Sequence, residues 1–425
     1  MDIDIKMLDA KYWIEKISDS NKVIMPLNKI EEFNEMTQKK AKMIFDIKNY
    51  KEYLSKEELL NIIENYKIPQ ISMYDINGNR LEKDFYDRLI YNTNIYGIKN
   101  KNNIKYGIAV RNTDLRSFPD DTPVFKTAVD KELDRFQETG CQAFEPLVIL
   151  HESSDRKWYF VIMYNYFGWV RAEDIAVGKK EDIFDYVESK DFIVVTGEHV
   201  HTVYNPFDRR ISNVEFTMGT KIPIEKDKPL SLDNQLTVGQ YVVKLAVRND
   251  KGYFEIKNAL IPITEDVSFG YLPYTRENIL KQVFKTLGKR YGWGDSFKGR
   301  DCSSTIMYTY KCFGFKLPRN ADDQENAQGI VCEFNNEMSV EDRVNLFEKI
   351  KPGAAVFMDG HVMMYVGMED KRPYIIHAFH GYGEKIGDKY EFAPANTVMV
   401  TSALIKRADG KTFIEEFTKV LDFEE

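Results

Sequence analysis

Hydrophobic and polar positions change their rhythm along the chain, and each rhythm predicts a different kind of element. The first stretch, to about residue 104, is rich in Lys, Asn, Ile and Glu and carries helix-start signals. Asn28 with Glu31 and Ser55 with Glu58 each fit a capping box, in which paired side chains satisfy amides left open at a helix start. After Ser55, the residues Leu59, Leu60, Ile62 and Ile63 form an apolar helical face that stops before Pro69, and a loop is expected at Asn77-Gly78. Tyr12 and Trp13 read as packing residues. From about residue 105 the pattern becomes short alternating runs broken by turn residues: IAVRN, EPLVILHES, KWYFVIMYN and GWVRAEDIA. Period-two alternation at this spacing predicts small antiparallel β units of the SH3-barrel type. A second such stretch carries DFIVVTG, GTKIPIE, GQYVVKLAVRND and GYFEIKNALIPI, with one larger β domain as the alternative reading. Near residue 270 helical periodicity returns. Thr275 is an expected N-cap, and Ile279, Val283, Phe284 and Leu287 share a face before Gly288. A glycine-containing loop, the segment RDCSSTIMYTYKCFGF and a series of strands follow. The expected fold is therefore a multidomain α+β chain: a mainly helical domain over 1–104, SH3-like barrels over 105–180 and 181–268, and an α+β domain over 269–425.

Composition narrows the function classes. A length of 425 residues implies several domains, and 43% hydrophobic residues supply packed cores. The 59 basic against 67 acidic residues leave a net charge of -8, with no Lys/Arg-rich block, which argues against nucleic acid as a partner. No run approaches the roughly 18 to 20 apolar residues of a transmembrane helix. The beginning, MDIDIKMLDAKYW, lacks the basic and apolar regions of a signal peptide, so the compartment stays open. Cys141, Cys302, Cys312 and Cys332 are too few and too scattered for a disulfide framework, so free thiols are expected.

Candidate chemistry gathers in the last domain. Asp301 is placed to cap a helix whose first residue is Cys302 and whose stop is Gly314. A thiol at a helix N-terminus meets the positive end of the dipole, which lowers its pKa and favours the nucleophilic thiolate. A buried, inert cysteine is the alternative if Cys302 stands alone. Two histidines lie on strand-like segments downstream. In AAVFMDGHVMMYVGM, His361 shares a face with Met363 and Tyr365. In RPYIIHAFHGYG, His377 shares one with Ile375 and Phe379. Adjacent antiparallel strands can hold these imidazoles side by side, completing a thiol, a base and an orienting group. His380 competes for the third place but falls on the opposite alternation. No C-x-x-C or H-x-x-x-H pairing is present, so no metal site is expected. Of the remaining histidines, His151, His199 and His201 lie in the β units, and His199 with His201 reads as a surface pair.

Together, YGWGD at 291–295, DCSS at 301–304, LPRNADDQ at 317–324, GHVMMYVG at 360–367 and PYIIHA at 373–378 resemble the NlpC/P60 family of bacterial cell-wall cysteine peptidases. Upstream, AVRNTDLRSFPDD, LDRFQETG and GWVRAEDIA resemble a bacterial SH3 (SH3b) domain of the multidomain subgroup, whose helical leader the N-terminal region is also similar to. The resemblance implies a papain-like C-terminal domain, no cofactor, Cys302 as nucleophile, His361 as general base and His377 as orienting residue. It further implies that Tyr291 lies beside the nucleophile and helps to bind the carbonyl oxygen, and that Asp301 and Ser303 contact the D-glutamyl part of the substrate. Asn320 stands where relatives that clasp a free amine carry Asp; it can hydrogen-bond but cannot form the ion pair. Asp295 and Ser304 stand where the family carries glycine.

The implied reaction is hydrolysis of the bond between γ-linked D-glutamate and the following diamino acid in peptidoglycan stem peptides or muropeptides. The first SH3-like unit is expected to close one end of the groove, with Tyr164, Tyr166, Phe167 and Trp169 either forming that wall or filling the barrel's own core. A non-catalytic wall-binding protein and an acyl transferase using the same thiol are the alternatives. Family habit points to the cell envelope or secretion, and the missing signal leaves cytoplasmic recycling as the other location.

Overall fold

A computed structural model describes residues 3–424. The chain forms two compact units, one built from residues up to Ile44 together with Tyr271 onward, the other from Phe45–Gly270. The helices expected over the first 104 residues are present, but they are divided between the two units. α1 (Ala10–Ile14) and α2 (Leu27–Lys40) belong to the first, whereas the helices Lys56–Ile63 and Lys83–Asn92 belong to the second. Ser55 and Glu58 form the expected capping box. Asn28 does not cap α2, because the helix already starts at Leu27 behind Pro26, whose fixed φ suits a helix entry.

In the second unit, seven strands form one antiparallel sheet: β1 (Lys105–Ala109), β2 (Thr113–Arg116), β3 (Gln137–Cys141), β4 (Pro146–Glu152), β5 (Trp158–Met163), β6 (Tyr166–Arg171) and β7 (Ile175–Gly178). Their spatial order is β3-β2-β6-β5-β4-β1-β7. Alternate residues of β4 and β5 point to opposite faces. Val148, Phe160 and Ile162 pack with Trp169 under the Lys56–Ile63 helix, while Leu147, Ile149 and Val161 fill the other side. Of the aromatic cluster, Trp169 is fully buried in this core, and Phe167 packs against Phe45 and Tyr66 at 6.3 and 5.6 Å. Beyond the helix Lys180–Val187, separate sheets include the long hairpin Gln240–Arg248 with Phe254–Pro262. Ile108, Phe144 and Ala176 from the seven-stranded region share one core with Ile193, Val243 and Ile261, so the two β stretches are joined by a common hydrophobic cluster. His199 and His201 face Glu215 across a short ladder.

The first unit places helices against a six-stranded antiparallel sheet. α3 (Arg276–Phe284) and α4 (Cys302–Lys311) precede β8 (Ile330–Glu333), β9 (Ala355–Met358), β10 (His361–Glu369), β11 (Arg372–Ile386), β12 (Lys389–Ser402) and β13 (Phe417–Asp422). The sheet order is β8-β13-β9-β10-β11-β12. Thr275 caps α3 by accepting the Asn278 amide, as its side-chain type implies.

The N-terminal segment is part of this unit's core. Phe33 of α2 is fully buried, its ring 4.9 Å from Phe315 and 5.8 Å from Phe423 in edge-on contacts. Trp13 is buried on β10, where Gly367 has a φ of 145° and a Cβ would stand 2.9 Å from the indole. Glycine at this position lets the indole lie directly on the strand backbone. The backbone amides of Lys42 and Met43 donate to the two carboxylate oxygens of Asp323 at 3.0 and 2.8 Å, tying the end of this segment to the short helix Ala321–Gln324 that follows α4.

Candidate active site

Cys302 is the first residue of α4, and Asp301 is its N-cap. The Asp301 carboxylate accepts the Ser304 amide at 2.9 Å, while the Ser304 hydroxyl accepts the Asp301 amide at 3.0 Å, a reciprocal capping box. Serine in place of the family's glycine therefore has a local use: its hydroxyl closes the first turn that carries the sulfur. The preceding loop is strained. Asp295, Phe297 and Lys298 all hold positive φ, at 66°, 61° and 53°. Asp295 thus occupies a left-handed position that suits glycine, and aspartate is among the residues that tolerate it.

Asp301 sits in a buried ion-pair cluster. Arg319, from LPRNADDQ, donates to both of its oxygens, at 3.1 and 2.6 Å, and to the Ser303 hydroxyl at 2.9 Å. The same guanidinium lies 3.6 Å from Asp295, whose carboxylate accepts the Tyr308 hydroxyl at 3.2 Å. Burial pushes the carboxyl of Asp301 up, but the charge and hydrogen bonds of Arg319 more than offset this and hold it below the usual carboxylate range. Asp295, farther from Arg319, is raised by burial. Gln324 braces the group by donating to the carbonyls of Ser303 and Pro318 at 3.0 and 2.8 Å. Asp301 and Ser303, expected from the resemblance to contact substrate, are thus engaged with Arg319 inside the protein. Asn320 begins the short helix Ala321–Gln324 and is exposed.

The two histidines expected to pair are brought together. His361 starts β10 and His377 lies on β11, with Nε2 of His361 2.9 Å from Nδ1 of His377. His377 is buried, stacked on Phe379 at 4.2 Å and 8°, and its Nε2 lies 3.0 Å from the Thr401 hydroxyl. His380 takes a different partner, with Nδ1 2.6 Å from Oδ1 of Asn396, so the structure separates it from this pair. Tyr291, 6.1 Å from the His380 ring, is bridged through its backbone to Arg300, two residues before the thiol.

The electrostatics reverse one expectation. Burial of the sulfur, reinforced by the Asp301 charge, pushes the Cys302 thiol up to about 12, although the Val362 backbone amide beside it pulls the other way. Desolvation and the adjacent carboxylate outweigh the helix N-terminus, so the resting group is a thiol. Burial likewise lowers His361 to about 4 against the opposing charge of Asp301, and lowers His377 still further. The resting site is a neutral thiol against the amide of Val362, the residue that follows the neutral imidazole of His361 on β10. Arg319, Thr401 and Gln324 escaped the sequence reading. Arg319 and Gln324 lay within a recognised motif without a role, and Thr401 sits in an ordinary-looking strand.

Among the described residues, no group of three or more His, Cys, Asp or Glu is placed to hold a metal ion, and no helix is long and apolar enough to cross a membrane. Among the described residues, none of the four cysteines is joined in a disulfide.

Comparison with known proteins agrees with this architecture. The NlpC/P60 family model matches residues 288–393, and the model of an SH3 domain of SH3b1 type matches residues 123–171. An NlpC/P60 endopeptidase from Photobacterium damselae subsp. piscicida has a similar structure, with a TM-score of 0.77 at 18% identity over 96% of each chain. An NlpC/P60 family protein from Bacillus cereus aligns with 68% of this chain and 83% of its own, at 16% identity and a TM-score of 0.46. No curated protein matches the chain. The capped cysteine helix and the sheet that pairs the two histidines thus fall in or around a region, residues 288–393, that matches the NlpC/P60 family, with an SH3 domain of SH3b1 type matched upstream over residues 123–171.

Proposed function

We propose that the protein is a cysteine endopeptidase that cuts peptidoglycan stem peptides between γ-linked D-glutamate and the following diamino acid. The observation that carries this reading is the 2.9 Å contact between His361 and His377, with the Cys302 sulfur against the amide of Val362, the residue after His361. In this reading Cys302 attacks the γ-glutamyl carbonyl as its proton passes to His361. His361 then protonates the leaving amine, and water attacks the acyl-enzyme with His361 as base. The Cys302 backbone amide and Tyr291 would stabilise the oxyanion. Asn320, exposed next to Arg319 in the chain, is the polar candidate for the free-amine end of the peptide, the end that precedes D-glutamate. Asp301 and Ser303 act by holding Arg319 and the first turn of α4. The place of action is the peptidoglycan of the cell envelope.

The test is mass spectrometry of products from L-Ala-γ-D-Glu-diaminopimelate peptides, free and sugar-linked, incubated with wild type and Cys302→Ala. Release of the diamino acid portion by wild type alone is expected. Binding of both peptides without cleavage by either protein would remove the hydrolase assignment and favour a wall-binding role.

A further inference from the structure

The hydrogen-bond path that starts at His361 continues past His377 to a residue with no assigned role. His377 lies opposite Met399 in the β11–β12 ladder, and Thr401 is the diagonal neighbour on the same face. Both side chains are enclosed, His377 with 1% and Thr401 with 0% of its surface exposed, and their polar atoms meet at 3.0 Å. Phe379 stacks on the His377 ring, and Phe413 stands edge-on to it at 5.7 Å, so the ring is held in one plane. The Thr401 hydroxyl lies within hydrogen-bond distance of the inner nitrogen, Nε2.

The protonation pattern follows from the geometry, given the reading of His361 as the base for Cys302. Nε2 of His361 is engaged with His377, which leaves Nδ1 of His361 to take the thiol proton. That nitrogen must be bare beforehand, so the proton of neutral His361 resides on Nε2 and is donated to Nδ1 of His377. His377 must then carry its own proton on Nε2, where the oxygen within reach is that of Thr401. We propose that Thr401 is a positioning residue whose hydroxyl oxygen accepts the Nε2 proton of His377 and thereby holds both histidines in the tautomers that catalysis needs. Without that acceptor, the proton of His377 is better placed on Nδ1. His361 then keeps its own proton on Nδ1, facing the thiol, and the base is occupied before the reaction starts.

The experiment labels histidine with 15N and reads the tautomers of His361 and His377 from long-range proton–nitrogen spectra of the resting protein. Wild type, Thr401→Val and Thr401→Ser are compared, with turnover and melting temperature measured alongside. Wild-type His377 is expected to be protonated at Nε2. Thr401→Val, nearly the same shape without a hydroxyl, is expected to move that proton toward Nδ1 and to lower kcat by about 10- to 100-fold, with KM little changed. Thr401→Ser is expected to restore both tautomer and kcat. A wild-type His377 protonated at Nδ1, or a Thr401→Val protein with unchanged tautomer and kcat, would overturn the proposal. So would failure of serine to rescue a folded protein. Because the tautomer is read without substrate, the expected wild-type and variant spectra in a protein that cleaves no stem peptide would uphold Thr401 while removing the peptidase assignment.

Discussion

At the scale of single residues, the site separates charge from reactivity. Arg319, Asp301 and Asp295 form a charged cluster at the first turn of α4, and the neutral histidine pair is carried by β10 and β11. This division sets the pH behaviour. With His361 lowered to about 4 and the thiol raised to about 12, the neutral thiol and neutral imidazole from which the proposed reaction starts span the neutral range. The expected kcat/KM profile is therefore flat through neutrality and falls only as pH drops toward 4, where His361 is protonated before it can act as base. Alkylation of Cys302 by iodoacetamide is correspondingly slow at neutral pH and accelerates in alkali. An acid limb near 6.5 in kcat/KM would contradict this account. Stability follows the same groups: unfolded histidines take protons near 6.5, whereas the folded pair resists them, so stability is complete above about 6.5 and declines as pH falls toward 4.

At the scale of elements, the first turn of α4 is where helix chemistry and active-site chemistry coincide. Ser304 is fully buried and closes the capping box, so Ser304→Ala leaves the Asp301 amide without its hydroxyl acceptor. The expected cost is about 0.5–2 kcal/mol, measured by urea denaturation. Activity is expected to fall with it, because the same turn holds the sulfur and the Cys302 amide. A loss of stability with full activity would show that the turn keeps its shape without the box. The capping residues Ser55, Thr275 and Asp301 were all legible in the sequence because a cap needs only a particular side chain a few residues from the amide it serves. Asn28 was misread for a related reason: a capping pattern occurs by chance wherever Asn and Glu are common, and Pro26 had already started the helix.

At the scale of the whole molecule, the described residues up to Ile44 belong to the unit that carries Cys302 and the histidine pair. Phe33 fills the space between Phe315 and Phe423, and Phe33→Ala is expected to destabilise this unit by about 3–5 kcal/mol, read as a lowered first transition in calorimetry. An unchanged melting profile would mean that α2 is an ornament to the core. The sequence alone determined the order of textures, the cysteine-bearing helix with its cap, and the pairing of His361 with His377 rather than His380, because periodicity and strand parity are local properties of the chain. Only the tertiary structure decided that the leader is shared between two units, that Arg319 binds Asp301 and Ser303, that burial leaves Cys302 a thiol, and that Thr401 ends the histidine path. Each of these depends on which distant residues meet and how much water they exclude, and neither quantity is written in the spacing of residues along one chain.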